Sequence, residues 1–452
     1  MRYVCSIFIG SGALIGCVRR DESACRTAAE RGNLRDPTID PPRAVNVKLP
    51  SPLIALAVAA FSASTAFADE WRLIVNAGDH DRHDSLVTFS APKELRGTAL
   101  LESPGEPPVP AQIDDAGRGV FILPALAQGM SKIFTLKSAD NLPAAIMATK
   151  SGDTLQFSAG DQPLFTYQMA PGPVPEGVPP IFSHGAHLHP IFSPSGKVVT
   201  GNHPPDHRWH RGIWMAWTDT EFEGRHPDFW NQGKGEGSAK SAEKLSAEVR
   251  FESLEKNWSG PVQGGFVSKH RFIDHSGGES KDVLRETWEV AACRAGATNV
   301  IDLISTQTCA SASPLKLPKY HYGGLGVRGN ALWDPVDAVT MLTSNGDDRI
   351  KGDSTKGKWV HLGGEVDGAP TGLAVLIHPS NFRFPQPLRL NPKNPQLCIA
   401  PSQDGDWSIE PGQPYVSRYR IVVMDGKADA ALLERLWQDY AEPPTAEVSA
   451  TK

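Results

Sequence analysis

The chain has 452 residues, 40% of them hydrophobic, with a formal net charge of −6 from 45 Lys and Arg against 51 Asp and Glu. That mildly acidic balance removes the electrostatic case for binding nucleic acid or an anionic membrane surface, while the apolar content suffices for a real core. The 42 glycines and 38 prolines are spread along the chain and favour many turns between short strands over long helices.

The N-terminal region reads as targeting sequence. Lys48, an apolar run from Leu53 to Phe61 and Ala66-Phe67-Ala68 before Asp69 have the order of an export signal. Residues 45–68 are therefore expected to be a signal peptide cleaved after Ala68, giving a periplasmic or secreted protein. Residues 1–44, rich in Arg and Pro, read as a disordered upstream extension, with Val45 as an alternative start. The runner-up is a lipoprotein anchored through Cys17, because Leu14-Ile15-Gly16-Cys17 resembles a lipobox. After Ala68 only Cys293, Cys309 and Cys398 remain, an odd set that builds no disulfide framework. One pair and buried free thiols both stay open. No apolar run of about 18 residues follows, so no membrane span is expected.

From Trp71 the chain alternates. Trp71, Leu73 and Val75 precede a charged turn, Asp79 to Asp84, which places His80 and His83 in a surface loop. Leu86 to Phe89, Thr98–Leu101, Gly119–Leu123 and Ile133–Leu136 follow as short strands. Residues 69–145 are expected to form a small β-sandwich, with Asn141-Leu142-Pro143 as the boundary. A hairpin, Thr154–Ser158 and Leu164–Gln168, opens the main domain, residues 150–442. Its later strands are Gly265–Ile273, Val283–Val290, Val300–Thr306, Ala338–Thr343, Trp359–Leu362, Gly372–Ile377, Gln396–Ala400 and Tyr415–Met424. Ala428–Ala441 alone reads as a helix, with Leu432, Leu433, Leu436, Trp437 and Tyr440 on one face. Residues 443–452 read as a disordered tail. The class is mainly β: a large antiparallel two-sheet sandwich with a small N-terminal β domain and a C-terminal helix. No G-x-G-x-x-G follows a strand and opens a helix, which argues against a dinucleotide fold.

The chemistry-bearing residues concentrate between His184 and Gly237. Seven of 14 histidines (His184, His187, His189, His203, His207, His210, His226) and four of 11 tryptophans (Trp209, Trp214, Trp217, Trp230) fall there, interleaved with Asp206, Asp219, Asp228, Arg208 and Arg211. Three readings stay open. His187-x-His189 puts two imidazoles on one strand face, and Asp206-His207-x-x-His210 adds a carboxylate and two more, a donor set for a divalent metal. The spacing, however, matches no established metal signature. The second reading is acid–base catalysis without metal or other cofactor: His207 or His210 transfers a proton, Asp206 orients it, His189 lies nearby and Arg211 holds a carboxylate or hydroxyl. Trp217 and Trp230 would then carry the apolar face of a sugar ring. The third is structural packing and turn capping, which suits Trp209 and Trp214 as core residues and Pro204-Pro205 as a rigid turn. Downstream, Tyr320, His321 and Arg328 flank a Gly-rich stretch and could line the same cleft, and His378 ends a strand in His378-Pro379-Ser380-Asn381. Of Glu286 and Glu289, one facing inward would be a base; an exposed cross-strand ion pair is the expected state.

His189–Asp219 (HPIFSPSGKVVTGNHPPDHRWHRGIWMAWTD), then Asp228-Phe229-Trp230, Tyr322–Arg328, His378–Asn381 and the stretch Pro411–Gly426 before a helix resemble a bacterial family carried under the name "methane oxygenase PmoA". The resemblance covers roughly residues 70–442 and is most specific at Asp206, His207, His210, Arg211 and Gly212. It implies an exported β-rich protein. Methane oxidation is not carried over, because the membrane subunit of that name crosses the bilayer several times and this chain has no spanning stretch. A weaker similarity to aldose 1-epimerase, in the HPIF stretch and the late Pro-Gly-Gln turn, implies a galactose-mutarotase-like supersandwich. Together these lead to an expected carbohydrate-active enzyme, acting by His/carboxylate proton transfer on a sugar or glycoside as an epimerase, lyase or hydrolase. The alternatives are a non-catalytic carbohydrate-binding protein and a His/Asp metal-dependent enzyme. The expected partner is a carbohydrate or another small molecule.

Overall fold

The computed structural model describes residues 70–232 and 245–451. The expected leader segments, 1–44 and 45–68, lie outside them. The described chain is mainly antiparallel β, with one α-helix at Ala430–Ala441. None of its helices is long and apolar enough to cross a membrane.

The N-terminal region is a single seven-stranded sheet. Its order is Arg82–Ser90, Arg118–Leu126, Val109–Ile113, Gly97–Glu102, Ser131–Ser138, Trp71–Asn76 and Thr445–Ala450. The first and last of these strands also approach each other, so the sheet curls around Leu73, Val87, Leu101, Phe121, Phe134 and Leu136. This corrects the expected two-layer sandwich: period-2 burial specifies one covered face, but not whether a second sheet or the same sheet covers it. It also corrects the expected disordered tail. Thr445–Ala450 pairs antiparallel with Trp71–Asn76, from Trp71↔Ala450 to Asn76↔Thr445. Only Ala446 and Val448 pack on the core from this strand, too weak an alternation to stand out in a polar tail. The charged turn is shorter than expected as well. Arg82 opens a strand and is buried, donating to Asp439 at 2.8 Å, while Ser85 donates to the same carboxylate at 2.9 Å. Asp439 lies on the C-terminal helix, so a buried ion pair ties the two ends of the described chain together.

The main domain is a sandwich of a nine-stranded and an eight-stranded antiparallel sheet. Between them lies an apolar core that includes Phe165, Leu188, Ile213, Val327, Leu373 and Ile421. Ile146–Ser151 already belongs to the nine-stranded sheet, so the domain starts slightly before residue 150. A polar thread runs through the interior. The Tyr167 hydroxyl lies 2.7 Å from His270 Nε2, and His270 Nδ1 lies 2.8 Å from Glu286, which also accepts from Ser305 and Gln307. Glu286 is thus inward and paired, against the expected exposed ion pair. Only Glu289 of the two carboxylates is exposed. Full satisfaction is what makes such a buried carboxylate tolerable. The three described cysteines are free thiols, with Cys293 and Cys398 buried.

The helix packs on the outer face of the eight-stranded sheet through Leu433, against Trp359, Leu376 and Val422. Asp429 caps it, accepting from the amides of Ala431 and Leu432 at 2.9 and 3.1 Å. Asp429→Ala is expected to cost about 1 kcal/mol, read as a lower urea midpoint at unchanged slope.

What positions the site is the outer face of the nine-stranded sheet. Alternation sends Ile213, Met215, Leu325 and Val327 inward and leaves Trp214, Ala216, Gly326 and Arg328 outside. A second apolar cluster, with Trp214, Trp217, Trp230 and Phe222, gathers there and extends to Phe272, Leu284 and Tyr415 of the eight-stranded sheet. Two glycines permit the close packing. A Cβ on Gly326 would come within 2.7 Å of both Trp214 and Trp230, and one on Gly212 within 1.9 Å of the Leu188 carbonyl.

Candidate functional site

Asp206 and His207 stand at the mouth of a polar cleft. The cleft is about 570 Å³ and is lined by these two residues with Asp334, Arg389, Asn391, Lys393 and Asn394. His207 follows a tight turn in which its amide donates to the Pro204 carbonyl at 3.2 Å, the rigid turn read from Pro204-Pro205. Its Nδ1 lies 2.8 Å from Asp206 Oδ2, and the two side chains are 32% and 41% exposed. Arg328 donates to Asp206 at 3.0 and 3.2 Å, and Asn394 Nδ2 donates to it at 2.7 Å. Partial burial pushes the Asp206 carboxyl up, but the His207 hydrogen bond and the Arg328 charge outweigh it and hold it well below the usual carboxylate range. An ionised Asp206 draws the imidazole proton to Nδ1 and leaves Nε2 as an acceptor.

Behind this pair the polar groups turn inward. His210 stacks on His207, with ring centres 4.5 Å apart and planes at 16°, and sits among Trp209, Trp214 and Trp230. It is buried, and burial followed by the charges of its neighbours holds its pKa well below the ordinary value. His210 is therefore corrected from acid/base candidate to packing layer. Arg211 is likewise buried, with burial pushing its pKa down to about 9, and is not placed to take a substrate. Arg328 is 1% exposed and holds both Asp206 and Asp334, the latter at 2.5 Å. It positions the carboxylates and does not line the cleft. His189 is half-buried, with Nδ1 2.9 Å from the Thr200 hydroxyl, and burial pushes its pKa down to about 4. His184 and His203 stack at 5.4 Å.

Three further expectations are corrected. Trp217 and Trp230 are 1% and 3% exposed, so neither offers a ring face to a sugar. Trp217 instead donates to Gln307 at 2.8 Å and packs edge-on against Trp407. His378 follows a strand of the eight-stranded sheet and sits edge-on to Tyr440 of the helix, away from the other candidates. Trp209 and Trp214 are core residues, as expected. Tyr320 and His321 line a second cleft of about 540 Å³ with Lys356, Pro387, Gln403 and Asp404.

Sequence reasoning missed Asp334, Arg389, Asn391, Lys393 and Asn394. A signal existed in Asn391-Pro392-Lys393-Asn394-Pro395, a run of turn residues between two strands. Arg349 secures that loop, donating to the carbonyls of Asn391 at 2.8 Å, Asn394 at 3.3 Å and Val336 at 3.2 Å. Among the described residues no group of three His, Cys, Asp or Glu side chains could hold a metal ion.

Residues 154–438 match the model of a family of unknown function, DUF6807. No curated protein matches the chain. Among solved structures, a variant of the GH36 alpha-galactosidase AgaA from Geobacillus stearothermophilus in complex with 1-deoxygalactonojirimycin is similar at 9% identity and a TM-score of 0.26, covering 62% of this chain and 40% of that one. The alpha-galactosidase AgaB of the same organism is similar at 10% identity and a TM-score of 0.26, covering 66% and 42%. The chain spans less than half the length of these enzymes, and at such scores the likeness carries over neither fold nor chemistry.

Proposed function

This chain belongs to the DUF6807 family, which brings no known activity with it, and we propose that it is an exported carbohydrate-active protein moving a proton at a sugar or glycoside, with His207 as the acid/base and Asp206 as its orienting carboxylate. The observation that carries this reading is the Asp206–His207 hydrogen bond at the mouth of a polar cleft. A carboxylate pinned by Arg328 and Asn394 presents the imidazole in one tautomer, the arrangement general acid–base catalysis needs. The cleft walls alternate donors and acceptors, Lys393, Arg389 and Asn391 against Asp334 and Asp206, which suits a ligand rich in hydroxyls. The chemistry within reach is ring opening, elimination or hydrolysis. Export rests on the signal-like residues 45–68, and the resemblance to the PmoA-like family is compatible with it.

The rival reading is a non-catalytic carbohydrate-binding protein. It is favoured by the pairing that already engages the charged groups lining the cleft: Asp206 and Asp334 with Arg328, and Arg389 with Asp353. Thermal shift and turnover, measured on one panel of monosaccharides, oligosaccharides and glycosides, separate the two. A saccharide that both raises Tm and is converted supports the proposal. A rise in Tm without conversion of any panel member overturns catalysis in favour of binding. No saccharide-dependent shift overturns both.

A further inference from the structure

We infer that the two clefts are neighbouring subsites of one groove, and that the groove takes an extended oligosaccharide, not a single sugar. The inference rests on the proposed function and deepens it by naming the substrate class.

The clefts share a wall. Strand Gln386–Leu390 contributes Pro387 to the Tyr320/His321 cleft and Arg389 to the Asp206/His207 cleft. Residues two apart on a strand point to the same face, roughly 7 Å from each other. That shared wall is widened by the segment from Asp353 to Lys356, which runs antiparallel beside the strand. Lys356 pairs with Pro387, the Ser354 amide donates to the Leu388 carbonyl at 2.9 Å, and the Leu388 amide donates to Thr355 at 2.8 Å. Asp353 then accepts from the Leu390 amide at 2.9 Å and from the Arg389 guanidinium at 2.6 Å. Ser354 and Lys356 line the first cleft, and their neighbour Asp353 anchors the residue that lines the second. Gln403 closes the joint, donating to the carbonyls of His321 and Leu388 at 2.8 and 3.3 Å. The partition between the clefts is therefore one strand position and one ion pair.

Both clefts offer the same chemistry. Each mixes hydrogen-bond donors with acceptors and carries a charge pair at its rim: Lys356 with Asp404 at 2.6 Å in one, Arg389 with Asp353 at 2.6 Å in the other. The first adds the phenol ring of Tyr320 beside the imidazole of His321, whereas the only ring side chain of the second besides its prolines is the His207 imidazole. A chain of hydroxylated rings satisfies both in series. A reaction at His207 would then act on one unit while the aromatic cleft holds a neighbour.

Isothermal titration of the full chain with α-1,4-gluco-, β-1,4-gluco- and β-1,4-galacto-oligosaccharides of one to six units tests this. In the series that binds, affinity is expected to rise at least tenfold from one unit to four and to level off once both clefts are filled. Lys356→Ala combined with His321→Ala is expected to flatten that rise with Tm held within a few degrees. Equal affinity at every length in a series whose monosaccharide binds overturns the groove and leaves the Asp206–His207 reading standing. A length dependence that survives the double variant overturns the assignment of the second subsite. Absence of binding by any saccharide overturns this inference together with the reading beneath it.

Discussion

His207→Ala is expected to lower turnover of the saccharide substrate by about 10²–10⁴-fold, the usual contribution of a positioned acid or base. The ring is half-exposed at the cleft mouth, and its one strong tether is the 2.8 Å bond from Nδ1 to Asp206. Its removal therefore costs little packing, and Tm should fall by no more than a few degrees. Substrate affinity should change severalfold at most, so the loss appears in kcat and not in KM. The contrast with His210 sharpens the expectation. His210 stacks on His207 but is buried among three tryptophans, so His210→Ala should act mainly by lowering Tm. Unchanged kcat in His207→Ala would sink the catalytic assignment.

The second large effect is expected on acidification. Burial holds the pKa of His184, His187 and His210 well below the ordinary value and pushes those of His189 and His361 down to about 4. The sign follows from linkage. Between pH 6.5 and 4 the unfolded chain takes up protons on these imidazoles and the folded chain does not, so stability rises with pH through that window. The contribution is fully present above pH 6.5 and is lost as pH falls toward the folded values. Each such histidine contributes a slope of about 1.4 kcal/mol per pH unit. His189 and His361, whose folded values lie near 4, together give about 2.7 kcal/mol per pH unit, and His184, His187 and His210 add to it in the same direction. The urea midpoint, followed by tryptophan fluorescence, should therefore fall steadily as pH is lowered from 6.5 toward 4. His361→Leu, which removes an imidazole with neither ring nitrogen bonded, should reduce proton uptake on unfolding by one. Urea midpoints that stay flat from pH 7 to pH 5 would rule this mechanism out.

In the block His184, His187, His210 and Arg211 carry buried ring or guanidinium nitrogens with no hydrogen-bond partner, and outside it so does His361. Unpaired groups of this kind raise the cost of burial, and they are why the acid sensitivity is expected to centre on the same stretch as the candidate site. Stability and chemistry here draw on adjacent residues, His210 behind and His207 in front.

The sequence by itself determined the strand content, because side chains alternate with period 2 wherever one face of a sheet is covered. Most of the long strands from Thr154 to Met424 were legible on that ground, but Ile213–Ala216, Ala247–Trp258 and Gln386–Leu390 were not, and the C-terminal helix was legible from its apolar stripe. The sequence also singled out Asp206, His207 and their neighbourhood, since such a density of imidazole and indole is uncommon in a packed core. What it could not sort was which members of the block face water. Adjacent residues in an irregular loop have no fixed periodicity, so Asp206 and His207 emerge at a cleft while His210 and Arg211, three and four positions on from His207, are buried. Trp217 and Trp230 went to a second apolar cluster that joins the Trp214 face to Tyr415 and other residues of the eight-stranded sheet, a contact no local pattern records. The remaining walls of the site, Asp334, Arg389 and Asn394, arrive from residues more than a hundred positions away. Only strand pairing across the nine-stranded sheet brings them to Asp206, since hydrogen-bonded register, not sequence proximity, sets which loops meet at a sheet's face.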